Sequence, residues 1–139
     1  MAKIVNTYDV PRLNSKHDAR YRYETVQPDV LGLRNMRGEI VVYPPGTACP
    51  SHHHEDTEHL FYITQGRGVI YVEDVPHEVK AGDFISVFAG ERHWLKNNAP
   101  ETFAFLELFS PIEVKTVWDD PQRQCTWMPA AREAAQGTR

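Results

Sequence analysis

From residue 21 to residue 109 the chain is a succession of short runs of hydrophobic and polar positions, cut at intervals by proline and glycine. Residues 21–26 alternate aromatic with charged side chains and stop at Gln27, Pro28 and Asp29; residues 39–43 are rich in β-branched side chains and stop at Pro44, Pro45 and Gly46. An apolar run at 60–64 leads to the turn signal Gln65-Gly66-Arg67-Gly68. Residues 68–72 and 75–79 are predicted to pair as a hairpin across Glu73 and Asp74. Residues 83–88 run into a turn at Gly90, and residues 102–109 form the last long strand before Pro111. Short strands at this spacing predict an all-β sandwich or barrel. The ends are less regular. Residues 1–20 read as a polar arm with one short strand around Ile4 and Val5, and the tail 117–139 carries Trp118, Trp127 and Pro129 before an Ala/Glu/Arg stretch predicted to form a frayed helix.

Length narrows the picture to one domain, because 139 residues bury a respectable core without needing a second. A net charge of -4 and a pI near 5.9 leave no electrostatic footprint for nucleic acid. Two cysteines are too few for a disulfide framework, and no N-terminal apolar stretch reaches signal-peptide length, so the expected location is the cytoplasm, with reduced thiols and no membrane partner. Cys49, between a turn and Pro50, is expected to be structural.

The chemistry lies in the histidines. His52 and His54 are two apart, so on an extended segment their imidazoles share one face while His53 points to the other. Further along stand the adjacent Glu58 and His59, then His93 beyond the Gly90 turn. Imidazole with carboxylate suits borderline cations such as zinc and iron(II). His17, His53 and His77 are expected to be ordinary polar side chains.

These residues resemble the two motifs of the cupin superfamily. The first, G-x5-H-x-H-x3/4-E-x6-G, is matched by Gly46, His52 and His54; the second, G-x5-P-x-G-x2-H-x3-N, is matched by Gly82, Gly90, His93 and Asn97, with Phe88 where the family usually has proline. Counting forward from His54 gives Glu58 as the remaining ligand, whereas counting back from Gly66 gives His59. The two are adjacent and must face opposite ways. With His59 inward, Phe61 and Ile63 follow it; with Glu58 inward, Leu60, Tyr62 and Thr64 do. The better apolar lining favours His59, giving the set His52, His54, His59 and His93 with Glu58 as the alternative. The resemblance covers residues 31–111 and implies a double-stranded β-helix, the jelly-roll barrel, holding one divalent metal per chain inside one end. It also implies a homodimer. Trp118 and Trp127, with Tyr21 and Tyr23, would cover such an interface or cap their own subunit's core.

The family's reactions are diverse, but the donor set narrows them. Neutral imidazoles leave an ion its full charge, which favours a small chelating carbonyl, enol or carboxylate substrate. The resemblance to all-histidine cupins makes an iron(II) dioxygenase the first expectation. A redox-neutral lyase, isomerase or cyclase using zinc, nickel or manganese is the second, and a non-enzymatic ligand-binding protein the third. Glu107 and Glu58 are the candidate catalytic carboxylates, and Tyr43, Phe61 and Phe105 the candidate pocket walls. On the last strand the inward set is either Phe103, Phe105, Glu107 and Phe109, or Thr102, Ala104, Leu106 and Leu108. The aromatic set is favoured because three outward Phe rings would need a partner.

Overall fold

The alternating runs fold into two antiparallel sheets whose inner faces share one core. The structure is a computed structural model that describes residues 1–130, so the stretch predicted as a frayed helix lies outside the described residues. In chain order the strands are β1 (Arg12–Ser15), β2 (Tyr21–Val26), β3 (Arg37–Tyr43), β4 (His52–Glu55), β5 (Glu58–Gln65), β6 (Arg67–Val72), β7 (Val75–Lys80), β8 (Phe84–Val87), β9 (His93–Lys96), β10 (Phe103–Ser110), β11 (Lys115–Trp118) and β12 (Trp127–Pro129). One sheet has seven strands in the order β12-β1-β2-β3-β10-β5-β8, and the other has five in the order β11-β4-β9-β6-β7. Val41, Tyr43, Phe61, Ile63, Phe103 and Phe105 from the first meet Ile70, Val79 and Leu95 from the second.

Period-two patterning decides which side chains reach that core. On β5, His59, Phe61 and Ile63 are buried, whereas Glu58 and Leu60 are exposed. On β10, Phe103, Phe105 and Phe109 are buried in the interior and Glu107 stands on the same face, so the aromatic set is the inward one. The Phe103, Phe105 and Tyr43 rings pack edge-on or tilted at 5.4–5.9 Å, close to the preferred geometry for aromatic pairs. The β6–β7 hairpin forms in the expected register, with Val72 opposite Val75. Its two linking residues, Glu73 and Asp74, have φ of 51° and 64°, the left-handed pair that a two-residue hairpin turn demands.

The ends of the chain contribute more than an arm and a tail. No strand forms at Ile4 and Val5, where Ile4 is exposed. A 3-10 turn at Thr7–Asp9, capped by the Asn6 side chain, precedes β1 instead. β1 pairs with β2 and with β12, and β11 pairs along β4. Both ends therefore extend the sheets beyond residues 31–111. β1, β11 and β12 have only three or four residues, with β11 and β12 at sheet edges, and that brevity leaves no periodic apolar signal to read. Trp127 packs against its own subunit's core, and Trp118 lies 4.8 Å from the His52 ring.

Candidate metal centre

Strand register assembles the histidines. His52 on β4 is the Cα partner of His93 on β9, and His54 shares the face of His52, so three imidazoles are forced onto one patch of the five-stranded sheet. Their ring centroids are 4.4 to 5.1 Å apart. One ligand atom from each lies within 4.8 Å of the others, and all three side chains are buried. The Gly90 turn holds the two strands in place. With φ of 84° it adopts a conformation few other residues accept, and its N–H donates to the His54 carbonyl at 2.8 Å. Phe88, in the family's proline position, uses the N–H that proline lacks to donate to the Glu91 carboxylate at 2.7 Å.

Each ring is oriented through Nδ1. His52 and His93 donate from Nδ1 to the carbonyls of Pro50 at 2.8 Å and Glu91 at 3.0 Å, and His54 Nδ1 meets the Thr116 hydroxyl at 3.1 Å. Donation to a carbonyl fixes the proton on Nδ1 and leaves Nε2 with its lone pair, the form that binds metal. Nε2 of His54 and of His93 is buried without a hydrogen-bond partner among the described residues. Burial, reinforced by the neighbouring rings, lowers the pKa of His52 and of His54 to about 3, so both are neutral throughout the physiological range. Burial also lowers His93. Three neutral, buried imidazoles whose ligand atoms lie within 4.8 Å of one another fit a divalent cation such as zinc or a first-row transition ion, and these three residues could hold it.

His59 approaches from the other sheet. Its ring lies between Phe61 and Phe109, 4.0 Å from each, and its centroid is 5.3 Å from that of His54 and 5.4 Å from that of His93. Both ring nitrogens are buried without a hydrogen-bond partner among the described residues, and burial holds the ring neutral. Its nitrogens are not part of the three-histidine group. Glu58, proposed from motif counting as either ligand or base, points away: it is exposed on the outer face of β5, because its neighbour His59 takes the inward position.

The histidines open onto a cavity of about 230 Å³ lined also by Tyr43, Phe61, Glu107, Phe109, Thr116 and Trp118. Phe105 is not part of the lining; it packs 5.4 Å behind both Phe61 and Tyr43. Glu107 is, with Oε2 3.8 Å from His59 Nε2. Opposite it in register on β3 is Glu39, fully buried and paired with Arg22 at 3.1 Å. Burial raises Glu39 to about 7 against the pull of Arg22, and burial beside Glu39 raises Glu107 well above the carboxylate range. Sequence reading missed Glu39, Arg22, Arg37, Thr116 and Trp118. The spacing of Arg37 and Glu39 places them on one strand face, but only the β3–β10 register brings that face to Glu107.

Comparison with known proteins agrees with this architecture. The family described as Cupin domain matches residues 39–109, which hold all four histidines and both carboxyl groups. The uncharacterized protein MJ1618 of Methanocaldococcus jannaschii is 30% identical over 97 residues, 68% of this chain and 77% of that protein. Among solved structures, the polyketide cyclase RemF of Streptomyces resistomycificus has a TM-score of 0.73 at 23% identity, covering 86% of this chain and 87% of that one. A cupin sugar phosphate isomerase of Silicibacter pomeroyi also has a TM-score of 0.73, at 16% identity, covering 91% and 92%. Such identities speak for the fold alone. The barrel, the motif histidines on paired strands and the family match together make this chain a member of the cupin family.

Proposed function

We propose that this protein is a metal-dependent enzyme that moves a proton on a small chelating carbonyl, enol or carboxylate compound, in a redox-neutral elimination, isomerisation or cyclisation. The observation that carries this reading is the Glu107 carboxyl inside the histidine cavity, on the aromatic wall, 3.8 Å from His59 Nε2. His52, His54 and His93 would hold the metal through Nε2, with His59 proposed as a fourth donor from the opposite sheet. A bound divalent ion supplies Lewis-acid polarisation of the substrate oxygens. Glu107 holds and delivers the proton at its Oε atoms. A carboxyl group with a raised pKa is suited to donate near neutral pH and, once ionised, to take a proton back. Phe61, Phe109 and Trp118 exclude water from that exchange.

The test is deuterium exchange followed by NMR. Wild-type protein loaded with zinc, manganese or iron(II) is expected to wash solvent deuterium into the carbon beside the carbonyl of at least one member of a panel of 2-oxo acids and 1,3-diketones. Glu107→Gln should keep the metal and slow the exchange at least tenfold, about 1.4 kcal/mol of barrier. Exchange unaffected by that substitution would remove Glu107 from the chemistry. The iron(II) dioxygenase reading is favoured by the all-imidazole donor set. Oxygen consumption by the anaerobically iron-loaded protein on the same panel, without deuterium exchange, would establish it instead.

A further inference from the structure

Resting on the reading of the cavity as a metal-dependent site, we propose that Arg37 is the anchor for a second, anionic group on the substrate, which makes the substrate class a small dianion. One end chelates the metal through oxygen atoms, and a carboxylate or phosphate at the other end binds the Arg37 guanidinium.

Three arginines line the cavity, and they are not equivalent. Arg20 is spent on Asp18, to which Nε donates at 2.9 Å, and on the Cys125 sulfur. Arg22 is spent on Glu24 at 3.0 Å and Glu39 at 3.1 Å. The Arg37 guanidinium has no ion-pair or hydrogen-bond partner among the described residues, and its Nε is buried without one. Its guanidinium carbon lies 5.9 Å from the Phe109 ring centroid, and its charge acts on the Glu39 and Glu107 carboxyls without a direct contact. A guanidinium carries its donors in a planar fork that matches two oxyanion oxygens, so a partly buried one without a protein partner presents a recognition group of defined shape.

Register sets that guanidinium beside the histidines. Arg37 is the Cα partner of Phe109, which is the partner of His59, so the three lie in one lateral row across β3, β10 and β5. Glu39, Glu107 and Phe61 form the adjacent row on the same inward face. An oxyanion at Arg37 would thus leave the rest of a small molecule alongside Glu107 and facing the histidines. The cavity, about 230 Å³, suits a metabolite rather than a drug-sized ligand.

Calorimetric titration of zinc-loaded protein with three 2-hydroxy acids isolates the second anion. Lactate carries the chelating end alone, malate adds a remote carboxylate, and 3-phosphoglycerate adds a remote phosphate. Malate or 3-phosphoglycerate is expected to bind at least tenfold more tightly than lactate, and whichever leads identifies the anion. Arg37→Met should bring the leader down to the lactate level with zinc content and circular dichroism unchanged, and Arg37→Lys should retain part of the preference. Equal affinity for all three, no binding of any, or a preference that survives Arg37→Met overturns the anchor. Failure of the metal reading shows separately, as absence of zinc uptake. In that event, titration of metal-free protein still decides the anchor, because an Arg37-dependent preference for malate or 3-phosphoglycerate over lactate is either present there or the proposal is wrong.

Discussion

His59 and Glu58 condense the residue-scale account: one peptide bond separates them, and strand geometry sends one into the cavity and the other to solvent. His59→Ala is therefore expected to lower metal affinity and Glu58→Ala to leave it unchanged, as read by competition with a chromogenic chelator. The reverse result would mean that β5 pairs one residue out of the register seen here. Inward orientation could be anticipated because His59, Phe61 and Ile63 make a better lining than Leu60, Tyr62 and Thr64. The Glu39–Glu107 pair could not, since its partners are 68 positions apart and meet only through pairing of β3 with β10. Titration follows from the same burial. His52, His54, His59 and His93 have pKa values lowered in the fold, the first two to about 3, so their contribution is present above the unfolded value near 6.5 and is lost as pH falls through the folded values. Glu39 is raised to about 7, and Glu107 is raised as well, so their contribution is present below the unfolded value near 4.5 and is lost as pH rises through the folded values. Four lowered histidines outnumber two raised acids. Urea unfolding of metal-free protein should accordingly give lower stability at pH 5 than at pH 7, and equal or greater stability at pH 5 would contradict neutral, buried imidazoles.

Among the elements, β3 and β10 carry the catalytic and recognition proposals together, because Arg37 and Glu39 face Phe109 and Glu107 across one ladder. Gly38 sits between the first two, opposite Leu108, and a Cβ there would overlap the Glu107 carbonyl oxygen. Backbone cannot yield as a flexible side chain would. Gly38→Ala is expected to cost about 2 kcal/mol or more, visible as a lower urea midpoint, and a midpoint within error of wild type would show that β3 and β10 are less tightly joined than described. Long strands with clean alternation, such as β5 and β10, were legible in the sequence, as was the Glu73–Asp74 hairpin. β11 was not, although it supplies the Thr116 hydroxyl that orients His54 and the Trp118 ring beside His52. A four-residue edge strand with exposed Lys115 and Val117 has too few buried positions to leave a pattern.

On the scale of the whole molecule, two sheets close over a set of ring nitrogens that have no hydrogen-bond partner among the described residues. Burying such groups opposes folding unless something binds them, so a metal ion would act as a structural ligand as well as a reagent. The family and barrel could be recognised from Gly46, His52, His54, Gly82, Gly90, His93 and Asn97, because their spacings encode strand faces and turns. Asn97, for instance, ties the chain by donating to the Tyr43 and Glu101 carbonyls at 2.8 and 2.7 Å. The reaction was not legible, because the groups that would select it stand on other strands and converge only in the closed fold. The reaction proposed for the cavity depends on His52, His54 and His93 holding a divalent ion, and metal content per chain tests that claim most directly. Protein purified without chelators or nickel resin, then equilibrated with zinc and freed of excess, should carry one equivalent per chain, and the His52→Ala/His54→Ala double variant a small fraction of that. A wild-type chain that retains no metal, or a double variant that retains a full equivalent, would contradict the account.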